Sequence, residues 1–137
     1  MNPKALYIHI PFCDHICVYC DFYKMLAVEE EKEKYFKYLI SELDMKKSYL
    51  SNLETIYIGG GTPSVYSPQE LSTLLSYFKG VKFSEDGERT CEMSPSTATI
   101  EHLDAVFEAG INRVSFGVQS FDEEILKKLR KEKTDVW

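Results

Sequence analysis

The chain has 137 residues, 44% hydrophobic and 28% charged, which suits one globular domain around one core and excludes a disordered chain. A formal net charge of -6 excludes a general nucleic-acid binder, which needs a basic footprint. No apolar run approaches the length of a membrane span and no signal-peptide pattern opens the sequence, so neither a transmembrane segment nor secretion is expected.

Leu6 to Ile10 reads as a first strand, with Tyr7 and His9 on the same face. Directly after it, Cys13, Cys17 and Cys20 follow the spacing C-x3-C-x2-C. Crowding three of four cysteines into one loop is metal or redox usage rather than a disulfide framework, and places the protein in the reducing cytoplasm. Three thiolates can hold three irons of a cubane iron–sulfur cluster and leave the fourth iron open for chemistry. Two other readings stay open on spacing alone. Zinc could take the triad with His15 or Cys91 as a fourth ligand, and Cys17-Val18-Tyr19-Cys20 resembles a dithiol redox pair. Cys91 by itself reads as a buried small hydrophobe.

A helix is expected from about Glu30 to Leu50, with Tyr35, Phe36, Leu39, Ile40 and Leu43 at helical spacing. Thr55 to Ile58 forms a second strand running into Gly59-Gly60-Gly61-Thr62-Pro63. Ser67, Pro68 and Glu70 announce the next helix as N-cap, first position and capping-box partner, with Leu71, Leu74, Leu75 and Phe78 as its apolar face. A third strand is expected over Arg89 to Met93, then a helix presenting Ile100, Leu103, Val106 and Phe107 and ending at Gly110. Val114 to Val118 makes a fourth strand, and Asp122 caps a last helix carrying Ile125, Leu126 and Leu129. The basic stretch Lys127 to Lys133 reads as a solvated helix face, and the remaining Tyr and Phe residues as core.

Four β/α units in series predict an α/β fold with a parallel sheet. Ligands in such folds bind at the carboxyl ends of the strands. That rim collects the cysteines, the glycine run, Glu92 and Gln119. The glycine run lacks both the P-loop and the dinucleotide pattern, yet it lets a backbone approach a ligand closely. Glu92 could neutralise an ammonium or bond hydroxyls.

Together, Tyr7-Ile8-His9-Ile10-Pro11-Phe12-Cys13, Cys17-Val18-Tyr19-Cys20-Asp21-Phe22, Tyr57 to Ser64 and Arg113 to Asp122 resemble the radical S-adenosylmethionine (SAM) superfamily. Within it they resemble the oxygen-independent coproporphyrinogen oxidase-like group. The oxidases carry a further cysteine where this chain has Phe22, so the likeness is to the sister branch of haem chaperones. The resemblance implies a [4Fe–4S] cluster on Cys13, Cys17 and Cys20, with SAM chelating the open iron and undergoing one-electron cleavage to a 5′-deoxyadenosyl radical. It also implies SAM contacts from Tyr7, Gly60, Gly61, Thr62, Glu92 and Gln119, a porphyrin or haem as further ligand, and an electron-donor protein.

Two departures stand out. Ser94 replaces the usual Asn after the third strand, and Lys131 stands where the family has the Arg serving the SAM carboxylate, which keeps the charge but not the bidentate fork. The family's catalytic domain is a partial barrel of about six β/α units followed by a further domain. Residues 1–137 are therefore expected to be the N-terminal part of a radical SAM core, inactive alone, with the fourth strand an open edge and a tendency to self-associate. The competing expectation is an inactive remnant, or a metal- or haem-binding module without radical chemistry.

Overall fold

Alternation along each strand decides which of its faces is buried. The computed structural model describes residues 3–129. In chain order they form β1 (Ala5–Ile10), the two-residue strands β2 (Phe12–Cys13) and β3 (Met25–Leu26), α1 (Glu29–Met45), β4 (Thr55–Gly60), α2 (Pro68–Leu75), β5 (Arg89–Met93), α3 (Ile100–Glu108), β6 (Arg113–Phe116) and α4 (Glu123–Leu129). The main sheet has the order β1-β4-β5-β6 with every pair parallel, so four consecutive β/α units are present as the pattern predicts.

Ile8 and Ile10, Ile56 and Ile58, and Cys91 and Met93 turn to the helices and are buried with Leu71, Leu74, Leu75 and Val106. Each buried aliphatic chain contributes about 1.5–3 kcal/mol. The opposite face is polar: register sets Tyr7 beside Tyr57, and Tyr57 beside Thr90, with Glu92 beside Ser115. A sheet oily toward its helices and polar on its inner face directs chemistry to that inner face and to the rim above it.

The helix starts follow their sequence signals. Ser67 accepts from the Glu70 N–H at 3.2 Å while the Glu70 carboxylate accepts from the Ser67 N–H at 2.7 Å, a complete capping box with Pro68 at the first position. Asp122 Oδ1 accepts from the N–H groups of Glu124 and Ile125 at 2.9 and 3.0 Å, capping α4. Gly110 ends α3 at φ 88°, a conformation suited to glycine.

Four expectations need correction. The first helix stops at Met45, and a 3₁₀ segment, Lys47–Asn52, turns Leu50 back into the core. The fourth strand stops at Phe116, because the Val118 N–H bonds back to Phe116 O at 3.0 Å and leaves the ladder. In α3 only Val106 of the expected apolar face is buried. Its neighbours inside are His102 and Ala105, while Ile100 and Phe107 are 74% and 78% exposed. The reason is His102, which completes a capping box with Thr99 and donates from Nε2 to Tyr66 O at 2.8 Å, turning the helix about its axis. The aromatic residues also divide: Phe12, Tyr66 and Phe78 are core, but Phe22, Tyr23, Tyr38 and Phe121 are exposed.

Candidate functional site

The cysteine loop is closed at its base by backbone pairing. Phe12 pairs with Met25 and Cys13 with Leu26, supported by Met25 N–H to Pro11 O at 2.7 Å and Ala27 N–H to Cys13 O at 2.9 Å. Lys24 caps the far side of the loop, donating to the carbonyl of Cys20. Asp14 ties the loop to the turn after β5 through Ser96, which donates to Asp14 Oδ2 at 3.1 Å and lies 2.7 Å from the Ser94 hydroxyl.

The glycine turn lies directly against this loop. Gly61 N–H donates to Ile10 O at 2.6 Å and Thr62 N–H to Phe12 O at 2.7 Å, extending the β1–β4 pairing past the end of β1. A Cβ on Gly61 would stand 2.6 Å from Phe12 O, so only glycine permits this approach. Glu92 joins the glycine turn on the same side. Its Oε2 accepts from Gly60 N–H at 3.1 Å and its Oε1 from the Tyr57 hydroxyl. That bond, chiefly, pushes the Tyr57 phenol up to about 12, so it stays a donor through neutral pH.

These groups surround one cavity of about 270 Å³ at the carboxyl ends of the strands. Cys13, Cys17 and Cys20 line it, with Gly60, Gly61, Thr62 and Glu92 on a second wall. Ser115, Phe116 and Gln119 supply a third. Gln119 has φ 64°, in the left-handed region, and the Ser120 N–H bonds to Val118 O at 2.8 Å around it. Strain of this kind in a non-glycine residue gathers at ligand sites.

Of the residues expected at the site, Tyr7 does not line this cavity. Tyr7 lies three residues before the end of β1, 55% exposed, with its hydroxyl 2.9 Å from His9 Nδ1; Lys131 lies outside the described residues. Cys91 is also away from the cavity, fully buried on the helix-facing side, and burial pushes its thiol up to about 12. Sequence reasoning passed over the roles of Tyr57 and Lys24 and the link from Asp14 to Ser96. Only Tyr57 carried a signal, being two residues before Gly59 and so on the same strand face.

The donor set suits a cluster. Three soft thiols on one loop favour iron–sulfur or zinc over hard cations. Among the described residues, no three His, Cys, Asp or Glu side chains converge as ligands for a single ion. A cubane takes each cysteine at a separate corner, so it does not require the three thiols to converge on one ion. Of the three, Cys13 is the most enclosed, and burial raises its pKa against the lowering effect of the Thr62 hydroxyl.

Comparison with known proteins agrees with the geometry. The chain is 40% identical to the haem chaperone HemW of Lactococcus lactis over 98% of its own length and 35% of that protein's. It is 42% identical to HemW of Bacillus subtilis over 92% and 34%, and 37% identical to an oxygen-independent coproporphyrinogen III oxidase of Helicobacter pylori over 94% and 30%. It thus spans about a third of the length of these relatives. Coproporphyrinogen III oxidase (HemN) from Escherichia coli, a radical SAM enzyme, superposes with a TM-score of 0.81 at 29% identity, over 96% of this chain and 31% of that one. The model of the Radical SAM superfamily matches residues 7–137, and with the fold matched as well, the chain belongs to the radical SAM superfamily.

Proposed function

We propose that the chain binds a [4Fe–4S] cluster through Cys13, Cys17 and Cys20 and SAM beside it, within a cytoplasmic protein of porphyrin or haem metabolism on the haem-chaperone side of the family. The observation that carries this reading is the shared cavity: the three thiols, the glycine turn, Glu92 and Gln119 come from four separate β/α units and line one space. The bound pair supplies one-electron reductive chemistry that no protein side chain provides.

The chain's own residues then bind and orient. The thiolates hold the cluster, and Gly60, Gly61 and Thr62 present backbone groups to the methionyl end of SAM. Glu92, fixed at both oxygens by Tyr57 and Gly60, still has lone pairs for an ammonium. Gln119 offers an amide from the opposite wall, while Phe116 and Leu126 displace water. Tyr7 and Lys131 are assigned to the same ligand, Lys131 as the carboxylate's cation. Phe22 in place of a further cysteine and the HemW relatives support the chaperone branch. A porphyrin or haem and an electron-donor protein are the partners this implies.

Anaerobic reconstitution with iron and sulfide, followed by EPR of the reduced protein with and without SAM, tests the reading. We expect a cubane signal that shifts on adding SAM and is lost in Cys13→Ala, Cys17→Ala and Cys20→Ala. Stoichiometric zinc with no cubane would overturn it, and a cluster indifferent to SAM would leave a metal-binding module without radical chemistry.

A further inference from the structure

Thr62 stands where the glycine turn meets the cysteine loop. Main-chain bonds already fasten the two: Gly61 N–H to Ile10 O at 2.6 Å and Thr62 N–H to Phe12 O at 2.7 Å. Thr62 is also the N-cap residue of the 3₁₀ turn Pro63–Val65, where a threonine hydroxyl ordinarily bonds back to the following N–H groups. Here it makes no cap bond. The hydroxyl turns to the Cys13 sulfur instead, at 3.5 Å, with both residues 9% exposed. A β-branched side chain on an extended backbone has few rotamers, so this direction is held.

We infer that Thr62 is a positioning residue for the cluster, its hydroxyl donating a hydrogen bond to the Cys13 thiolate and so raising the cluster's reduction potential. The inference rests on the cluster reading above. Reduction takes one electron from an external donor and places added negative charge on the cluster and its thiolates. A fixed donor therefore stabilises the reduced state more than the oxidised one, and hydrogen bonds to sulfur are among the determinants of these potentials. The bond lies away from water, where it is electrostatically stronger than at the surface. It also acts on one corner of the cluster, since Cys13 is buried and Cys17 and Cys20 are half-exposed.

The test is an anaerobic redox titration of reconstituted protein, read by EPR, on wild type, Thr62→Val and Thr62→Ser. Valine keeps the branched shape without the hydroxyl, and serine keeps the hydroxyl. We expect equal iron and sulfide content in all three, a lower midpoint potential in Thr62→Val, and a potential near wild type in Thr62→Ser. Equal potentials in all three would overturn the inference while leaving the cluster reading intact. No cluster in wild type would instead remove the cluster reading. Should Thr62→Val fail to assemble, resonance Raman of wild type in H₂O and D₂O decides: the Fe–S(Cys) stretching bands shift if an exchangeable proton is bonded to that sulfur, and their constancy overturns the inference.

Discussion

Gln119 carries a backbone cost that its exposed position does not require, since glycine would adopt φ 64° freely. Gln119→Gly is expected to raise stability by up to about 1 kcal/mol in urea unfolding while weakening SAM binding to the reconstituted protein. A destabilised variant would show that the turn is not strained. Tyr57 makes a second residue-level prediction through its bond to Glu92. Its pKa is raised from 10.0 to about 12, so the folded state holds the proton more tightly than the unfolded chain does. The stability this adds is complete below pH 10 and is lost as pH rises toward 12. Tyr57→Phe should therefore flatten the fall in stability across that window in melts followed by circular dichroism. An unchanged alkaline limb would contradict it.

At the scale of elements, local chemistry set most boundaries and packing set the orientations. The box of Ser67, Pro68 and Glu70 fixed where α2 begins, and Ser67→Ala should cost about 1 kcal/mol in denaturant unfolding. The rotation of α3 could not be read in advance. Two stripes were available to it, one apolar through Ile100, Leu103 and Phe107, and one mixed through His102, Ala105 and Val106. The bond from His102 to Tyr66 O, made by a residue 36 positions away, chose the second. The glycine turn offers a sharper test. Gly61→Ala sets a Cβ against the backbone of Phe12 and Ile10, which cannot yield without parting the two loops, whereas a Cβ on Gly110 meets nothing within 4 Å. Reconstituted iron should fall several-fold in Gly61→Ala and stay at the wild-type level in Gly110→Ala, the latter at a cost of about 1–2 kcal/mol from its positive φ.

For the whole molecule, the apolar residues left outside are as informative as the core. Ile100, Leu103 and Phe107 make one exposed stripe on α3, Phe121 is 95% exposed, and β6 pairs with β5 alone among the described strands. Contiguous apolar surface and an open strand edge both favour association. Sedimentation velocity should show concentration-dependent self-association, reduced in the double variant Ile100→Ser, Phe107→Ser; a monodisperse monomer at all concentrations would contradict this. The sequence by itself determined the β/α alternation, the caps that begin α2 and α4 and end α3, and the four rim segments, because strand period, capping chemistry and cysteine spacing are local properties. Only the tertiary structure decided which face of α3 is buried, that Glu92 is held by Tyr57 and Gly60, and that Thr62 reaches Cys13. Each of those joins residues from different β/α units, and a contact between units depends on how the sheet stacks them rather than on their neighbours in the chain.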